Sequence, residues 1–524
     1  MANVHFERRG TTAVLTLDNP PVNAMGVPLV RGIVEKLDAH LDDPGIKAFV
    51  ITGAGKMFVA GADIREFGKP RPADAPSFPR LIDRIENATK PFVAAINGVA
   101  AGGGLELALG CHARIASPGA RLGLPEVKLG LLPGAGGTQR LPRLIGVEPA
   151  LELIVSGELA PAAKALKLGI VDAVAEGDIV DAAVAHAEQL AASGAALRRA
   201  GALTDRIEAA RGKPELFANY RKETARRFRG FEAPQRCIAC VEAAVTLPFA
   251  EGLEKERALF AECLASDQSK AQRHVFFAER EVAKIPDVPA DTPSLPIKSA
   301  AVIGCGTMGG GIAMNFANAG IPVTILETAA EALERGLGII RKNYAATTAK
   351  GRLSEAEMQK RVGLIKGTLS FDDIKAADIV IEAVFEEMDI KKEVFRKLDA
   401  VAKPEAILAT NTSTLDVDEI AAVTKRPEKV IGTHFFSPAN VMRLLENVRG
   451  KKSSKETIAT VMALSKTIGK IGVLVGVCDG FVGNRMLHAY SRQANTLILE
   501  GALPQEVDKV IYDFGFPMGP FAMS

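Results

Sequence analysis

Ala300-Ala301-Val302-Ile303-Gly304-Cys305-Gly306-Thr307-Met308-Gly309 is the stretch whose reading decides the fold. Four apolar residues spell a buried strand, the glycines follow at once, and the apolar spacing that continues to Gly320 predicts a helix. In such a turn the first glycine permits the tight bend, the second lets the backbone approach a pyrophosphate, and the third lets helix and strand pack closely. Val323 to Leu326 then reads as a second strand and completes a βαβ unit. Glu327 closes that strand roughly 20 residues after the glycines, where a carboxylate bonds a ribose 2′-hydroxyl and repels a 2′-phosphate. Gly304, Gly306, Thr307, Met308, Gly309 and Glu327 are therefore expected to bind a dinucleotide, NAD rather than NADP, with its pyrophosphate at the helix N-terminus. Flavin-binding folds share the fingerprint, and these residues alone leave a flavin open.

Outward from this unit, β-rich runs at Ile379 to Ala383, Ile407 to Thr410 and Val430 to Thr433 predict an open doubly wound sheet. Upstream, Ile285 to Pro296 carries four prolines and little that could pack, which marks a linker and starts a domain near Ile297. Between Ala182 and Glu281 β-rich runs are missing, and the Ala, Arg, Glu and Leu content predicts a helical tail and connector. Earlier still, strand-like Thr12 to Leu17 and Ala48 to Thr52 flank helically spaced Leu29 to Leu41, and Pro91 to Ile96 followed by Leu105 to Leu109 repeats the alternation. After Val477 the pattern is helical, and Pro517 to Ser524 ends with neither helix terminator nor polar tail, so the chain is expected to stop within its last domain. The expected α/β multidomain layout is thus 1–190, 191–295, 296–477 and 478–524.

The bulk composition fits several globular units. A chain of 524 residues, 48% hydrophobic and 24% charged, exceeds what one core can organise. Lys plus Arg, 64, nearly cancels Asp plus Glu, 62, which argues against a nucleic-acid partner. Six scattered cysteines fit a reducing compartment; the one close pair, Cys237 and Cys240, has no second pair to make a zinc site and reads as buried helix. No metal site, secretory signal or membrane span is expected: Asn97, Glu106 and a triple glycine interrupt the most lipid-like stretch, Ile96 to Gly110.

His434 follows a predicted strand at the carboxyl edge of the sheet, where ligands of such folds sit. Histidine suits proton transfer near neutral pH, and Glu446 can fix its tautomer. Ile381-Glu382-Ala383-Val384-Phe385-Glu386, Lys391, Asn411-Thr412-Ser413, His434-Phe435-Phe436, Glu446 and Asn484-Arg485 stand in one order and spacing. On these motifs the chain from Ile297 onward resembles the 3-hydroxyacyl-CoA dehydrogenase family. The resemblance implies a Rossmann NAD-binding domain followed by the start of an all-α C-terminal domain. It makes His434 the base for the 3-hydroxyl proton and Glu446 its orienting carboxylate; Ser413 and Asn484 hold substrate oxygens, and Glu386, Lys391 and Asn411 line the cofactor site. Ser437 stands where many single-function relatives carry Asn.

Near the N-terminus, Phe58-Val59-Ala60-Gly61-Ala62-Asp63-Ile64 and Asn97-Gly98-Val99-Ala100-Ala101-Gly102-Gly103-Gly104-Leu105-Glu106-Leu107 are small-residue turns after predicted strands. Converging backbone amides at such turns can stabilise an enolate oxygen. With Pro125-Glu126 and Leu132-Pro133-Gly134-Ala135-Gly136-Gly137-Thr138-Gln139-Arg140, they make Met1 to about Leu190 resemble the enoyl-CoA hydratase, or crotonase, family. That resemblance implies the ββα spiral fold and the Ala60 and Gly103 amides as oxyanion hole. It has Ala62, Asp63 and Gly134 shaping the pocket for a coenzyme A thioester, Glu106 activating water and Glu126 delivering a proton. Hydration needs two carboxylates, and a chain holding both favours hydration over isomerisation alone.

Both halves in this order, joined through a helical linker with Phe276-Phe277-Ala278-Glu279-Arg280, resemble the peroxisomal-type multifunctional enzymes and their bacterial counterparts. Acyl-CoA substrates, NAD and a thiolase as candidate partner follow from the resemblance; the compartment is the peroxisome for a eukaryotic source and the cytoplasm for a bacterial one. The rivals are a chain with one working site and a non-catalytic CoA sensor. The paired glutamates count against the first, and the intact histidine and glutamate set against the second.

Overall fold

The computed structural model describes residues 2–523. It forms two compact units, 1–276 and 277–524.

In the first unit, β-branched and apolar runs with no exposed face become central strands. A six-stranded sheet runs in the order Asn3–Arg9, Thr12–Asp18, Ala48–Gly53, Phe92–Ile96, Ala113–Ala116 and Ala173–Val174. The first pair is antiparallel and the rest parallel, as strands joined through helices require. Val99–Ala101, Arg121–Gly123 and Ala160–Pro161 form a second, three-stranded sheet. The helix Val27–His40 buries Leu29, Val30, Ile33 and Leu37, so the predicted helical spacing marks its inner face.

The stretch expected to be a tail and connector instead completes the first core. The helix Ile179–Ser193 lays Ala183 and Ala187 against Val14, Val50 and Val93 of the sheet. The helices Ala233–Thr246 and Phe249–Ala265 bury Cys237, Ile238, Cys240, Val241 and Cys263 in the main cluster. Sequence patterning identified these helices but not their partner, because an amphipathic helix announces that it has an apolar face and not what covers it. The division between the units falls inside the helix Asp267–Glu281 rather than at the proline-rich linker.

The second unit is built on an eight-stranded sheet, in the order Ile365–Thr368, Val323–Leu326, Ala300–Ile303, Ile379–Glu382, Ile407–Thr410, Val430–Phe435, Leu444–Arg449 and Ile471–Gly476. All neighbours are parallel except Val430–Phe435 with Leu444–Arg449. The chain leaves Ala300–Ile303 toward one side and later returns to the other with Ile379–Glu382, so the switch point and its crevice lie at the glycine turn. The helix Gly483–Leu499 opens the last, helical segment. Among the described residues, no helix is long and apolar enough to cross a membrane.

Candidate functional site

The fold carries a chemically distinct constellation in each unit. In the first, Glu106 lies on the wholly buried helix Gly103–Gly110, and Glu126 on the short turn Pro125–Leu129. Oε1 of Glu106 accepts the amides of Ala135 at 2.8 Å and Gly137 at 2.9 Å, which fixes the carboxylate. Among the described residues, Oε2 of Glu126 is buried with no hydrogen-bond partner. Gly102 separates the two: it caps the helix of Glu106, has φ +53°, and a Cβ there would sit 2.9 Å from Oε1 of Glu126. A side chain at 102 would therefore be strained and would displace the acid.

Burial raises the pKa of Glu106, and the Ala135 and Gly137 amides and Arg140 pull it partly back. Glu126 is pushed well above the usual carboxylate range, first by burial and then by the charge of Glu106. Two neighbouring carboxyls of unequal support thus differ: one is anchored by backbone amides, and the other is pushed further toward its protonated form.

The predicted small-residue turns meet here, with one difference. A Cβ on Gly103 would lie 3.5 Å from the amide nitrogen of Ala62 and 3.2 Å from the Phe78 ring, so the two turns are adjacent. Ala60 is engaged otherwise than expected: its N–H is donated to the Val22 carbonyl at 3.1 Å. The cause is the segment Val22 to Met25, which runs beside the turn and pairs Met25 with Ala62. Asp63 caps the turn Ile64–Glu66 and binds Arg65 at 2.9 and 2.7 Å, and that contact holds its carboxyl below the usual range. A Cβ on Gly134 would lie 2.7 Å from Phe260 of the helix Phe249–Ala265.

That helix also brings a residue the sequence reading missed. Glu256 is fully buried; it accepts the Gly136 amide at 2.6 Å, the Thr138 amide at 3.0 Å and the Thr138 hydroxyl. Burial, and then the charge of Glu106, push its pKa up to about 8. A buried glutamate on a helix is itself the signal that could have found it, but Glu256 sits among several other glutamates of the same helix and only packing distinguishes it.

In the second unit, His434 and Glu446 are direct partners across the antiparallel strand pair. Nδ1 of His434 is 2.8 Å from Oε2 of Glu446, and Oε1 of Glu446 accepts the amides of Val482 at 3.1 Å and Gly483 at 2.8 Å. Burial works against ionisation of Glu446, but His434 and these amides outweigh it and lower the pKa. The rings of Phe436 and Phe481 flank His434 at 4.4 and 5.7 Å. Asn484, at the start of the next helix, donates to the Ser413 carbonyl at 3.4 Å, so both predicted substrate contacts sit together.

The dinucleotide turn has the expected form. Gly306 precedes the helix Thr307–Asn318 without a side-chain cap, and a Cβ on it would meet nothing within 4 Å, which leaves room for an anion over the first-turn amides of Thr307 and Met308. At Gly309 a Cβ would run into the Gly304 carbonyl, so no other residue fits. Oε2 of Glu327 accepts the Cys305 amide at 3.0 Å and Oε1 the Thr328 amide at 2.7 Å, which places the carboxylate against the glycine turn.

Glu386 and Lys391 are differently exposed. Glu386 accepts from the Thr412 hydroxyl, the Ser413 amide and hydroxyl and the Thr414 amide. Lys391 is 1% exposed and lies 2.7 Å from Glu382 and 3.3 Å from Glu386, so it bears on the cofactor crevice through Glu386 rather than by facing it. Asn411 accepts the Phe435 amide at 2.8 Å and so ties two strand ends at the crevice.

Comparison with known proteins divides the chain in the same way. Residues 7–228 match the family described as enoyl-CoA hydratase/isomerase, 299–478 the NAD-binding domain of 3-hydroxyacyl-CoA dehydrogenase, and 480–524 the C-terminal domain of that dehydrogenase. The chain is 47% identical over 532 residues to the peroxisomal bifunctional enzyme of Danio rerio, covering 100% of this chain and 72% of that one. It is 47% identical to the Homo sapiens peroxisomal bifunctional enzyme, with 98% and 71% covered. To the peroxisomal fatty acid beta-oxidation multifunctional protein MFP2 of Arabidopsis thaliana it is 38% identical, with 98% and 72% covered.

Proposed function

Since the chain belongs to the peroxisomal-type multifunctional β-oxidation enzymes, which join a crotonase-type hydratase domain to a Rossmann-type 3-hydroxyacyl-CoA dehydrogenase, we propose that it hydrates trans-2-enoyl-CoA to (3S)-3-hydroxyacyl-CoA and oxidises that product to 3-ketoacyl-CoA.

For hydration, the Gly103 amide polarises the thioester carbonyl, joined by the Ala60 amide as it exchanges the Val22 carbonyl for the substrate oxygen. Ala62, Asp63 and Gly134 shape the pocket around the coenzyme A thioester. Glu106, anchored by the Ala135 and Gly137 amides, takes a proton from water as its oxygen adds to C3. Glu126, holding its proton, delivers it to C2. The protonated Glu106 and ionised Glu126 then reset by proton exchange. The same Glu126 could move a proton between C2 and C4, so a secondary Δ3-Δ2-enoyl-CoA isomerase activity belongs to this reading.

For oxidation, Gly304, Gly306, Thr307, Met308 and Gly309 would hold the NAD pyrophosphate, Glu327 the adenosine ribose, and Glu386, Asn411 and, through Glu386, Lys391 the remainder. Bound there, NAD would supply the acceptor for the hydride that leaves C3. Ser413 and Asn484 hold the substrate oxygens, His434 takes the 3-hydroxyl proton, and Glu446 orients and stabilises the imidazolium. The product is suited to thiolytic cleavage, so a thiolase is the proposed next enzyme. The reaction belongs in the peroxisome for a eukaryotic source, as the names of the relatives indicate, and in the cytoplasm for a bacterial one.

The observation that most supports two activities is the pairing of anchored Glu106 with unsupported Glu126 in a chain that also holds the His434–Glu446 pair. NADH formation from crotonyl-CoA, compared with formation from 3-hydroxybutyryl-CoA, tests it. NADH from both supports two working sites, and NADH from the second alone leaves only a dehydrogenase; with NADH from neither, loss of crotonyl-CoA absorbance separates a hydratase from a binding protein.

A further inference from the structure

Consecutive amides of the turn Ala135 to Thr138 are taken by two different carboxylates. Ala135 and Gly137 donate to Glu106, at 2.8 and 2.9 Å. Gly136 and Thr138 donate to Glu256, at 2.6 and 3.0 Å, and the Thr138 hydroxyl adds a further bond to Glu256. The turn is therefore gripped from both sides. It leads into the helix Gly137–Ile145, whose first amides have no acceptor within the helix and carry its positive end.

Each grip depends on the other. Gly136 has φ +98°, a conformation that glycine adopts without penalty but does not by itself hold. If the Gly136 and Thr138 amides lost their acceptor, the turn could rotate, and the Ala135 and Gly137 amides would rotate with it. Those two amides anchor the Glu106 carboxylate. Arg140 reinforces the arrangement from a third direction, donating to the Ala135 carbonyl at 3.2 Å while paired with Glu86 at 2.8 Å.

We propose that Glu256 is a positioning residue for hydration: from the helix Phe249–Ala265 it holds the Ala135 to Thr138 turn so that Glu106 keeps the orientation in which it activates water. The inference rests on the hydratase reading of Glu106. It gives the helices beyond the crotonase-like sheet a part in the first reaction. Glu256 touches neither water nor substrate in this role, so its removal acts on turnover rather than on substrate binding.

The test is crotonyl-CoA hydration by the whole chain, followed as kcat and KM, with thermal melting and with dehydrogenation of supplied 3-hydroxybutyryl-CoA as controls. E256A should lower kcat about tenfold to a hundredfold, the scale of a misplaced catalytic group, and leave KM within about threefold. E256Q should recover part of the loss, since its oxygen can still accept the Gly136 amide while its NH2, which cannot accept the Thr138 amide, can donate to the Thr138 hydroxyl. Should E256A not fold, Thr138→Val decides: it removes the hydroxyl from the grip at nearly constant volume, and a fall in kcat at unchanged KM is expected. Parental kcat in a folded E256A or Thr138→Val variant overturns the proposal. So does a loss expressed in KM, a loss that only tracks the folded fraction, or an E256Q as impaired as E256A. A parental chain that does not hydrate, or a Glu106→Gln variant that hydrates normally, refutes instead the hydratase reading on which the inference stands.

Discussion

His434 and Glu446 face each other across an antiparallel strand pair, with Nδ1 of the imidazole 2.8 Å from Oε2 of the carboxylate. The other carboxylate oxygen binds the amides of Val482 and Gly483, next to Asn484. One side chain thus sets the imidazole tautomer and secures the start of the helix that carries a proposed substrate contact.

Replacing either partner should stop oxidation without touching hydration. His434→Gln removes the proton acceptor, and NADH formation from 3-hydroxybutyryl-CoA should fall by about 10² to 10⁴-fold. Glu446→Gln should come close to that loss although His434 remains. Its NH2 would donate to Nδ1, leaving the proton on Nε2, where the base must be free. Crotonyl-CoA hydration and the melting temperature are measured alongside. A folded Glu446→Gln variant with parental NADH production would remove Glu446 from the mechanism.

Glu106→Gln and Glu126→Gln should do the reverse. Each keeps shape but can neither take nor give the proton, so hydration should fall by about 10² to 10⁴-fold while supplied 3-hydroxybutyryl-CoA is still oxidised. Normal hydration by a folded Glu126 variant would place the acid elsewhere.

The raised carboxyls predict how stability changes with pH. Burial and the charge of Glu106 raise the pKa of Glu126, and burial with Glu106 pushes that of Glu256 up to about 8. A carboxyl whose folded pKa exceeds its unfolded one contributes stability that is complete below the unfolded value and is lost as pH rises through the folded value. Glu126→Gln and Glu256→Gln cannot ionise, so each should melt closer to, or above, the parent at about pH 9 than at about pH 5. Melting curves at both pH values check this; a difference that runs the other way would mean these groups are ionised without penalty.

Glu327 should select NAD. Its carboxylate lies against the glycine turn, bound to the Cys305 amide at 3.0 Å, where a 2′-phosphate would meet a negative charge. The parent should show a much lower kcat/KM with NADP than with NAD, and Glu327→Ala should narrow the gap by weakening NAD and admitting NADP. Equal use of both by the parent would refute the assignment.

The sequence by itself determined the α/β alternation of both units and the dinucleotide turn, and it named the candidate site residues, because these signals are local. A glycine spacing after an apolar run reports the backbone shape that it permits, and Gly309 against the Gly304 carbonyl is the physical form of that report. His434 and Glu446 were legible as chemical types, but the strand Leu444–Arg449 that makes them neighbours was not read, since its antiparallel register depends on the return path of the chain. Only the tertiary structure decided that Lys391 is buried behind Glu386, that Val22 holds the Ala60 amide, and that Glu256 joins the first site from a helix that looked like a connector. Each of these depends on which surfaces cover one another, and the energy of a buried charge or amide is set by neighbours distant in the chain, which no local spacing encodes.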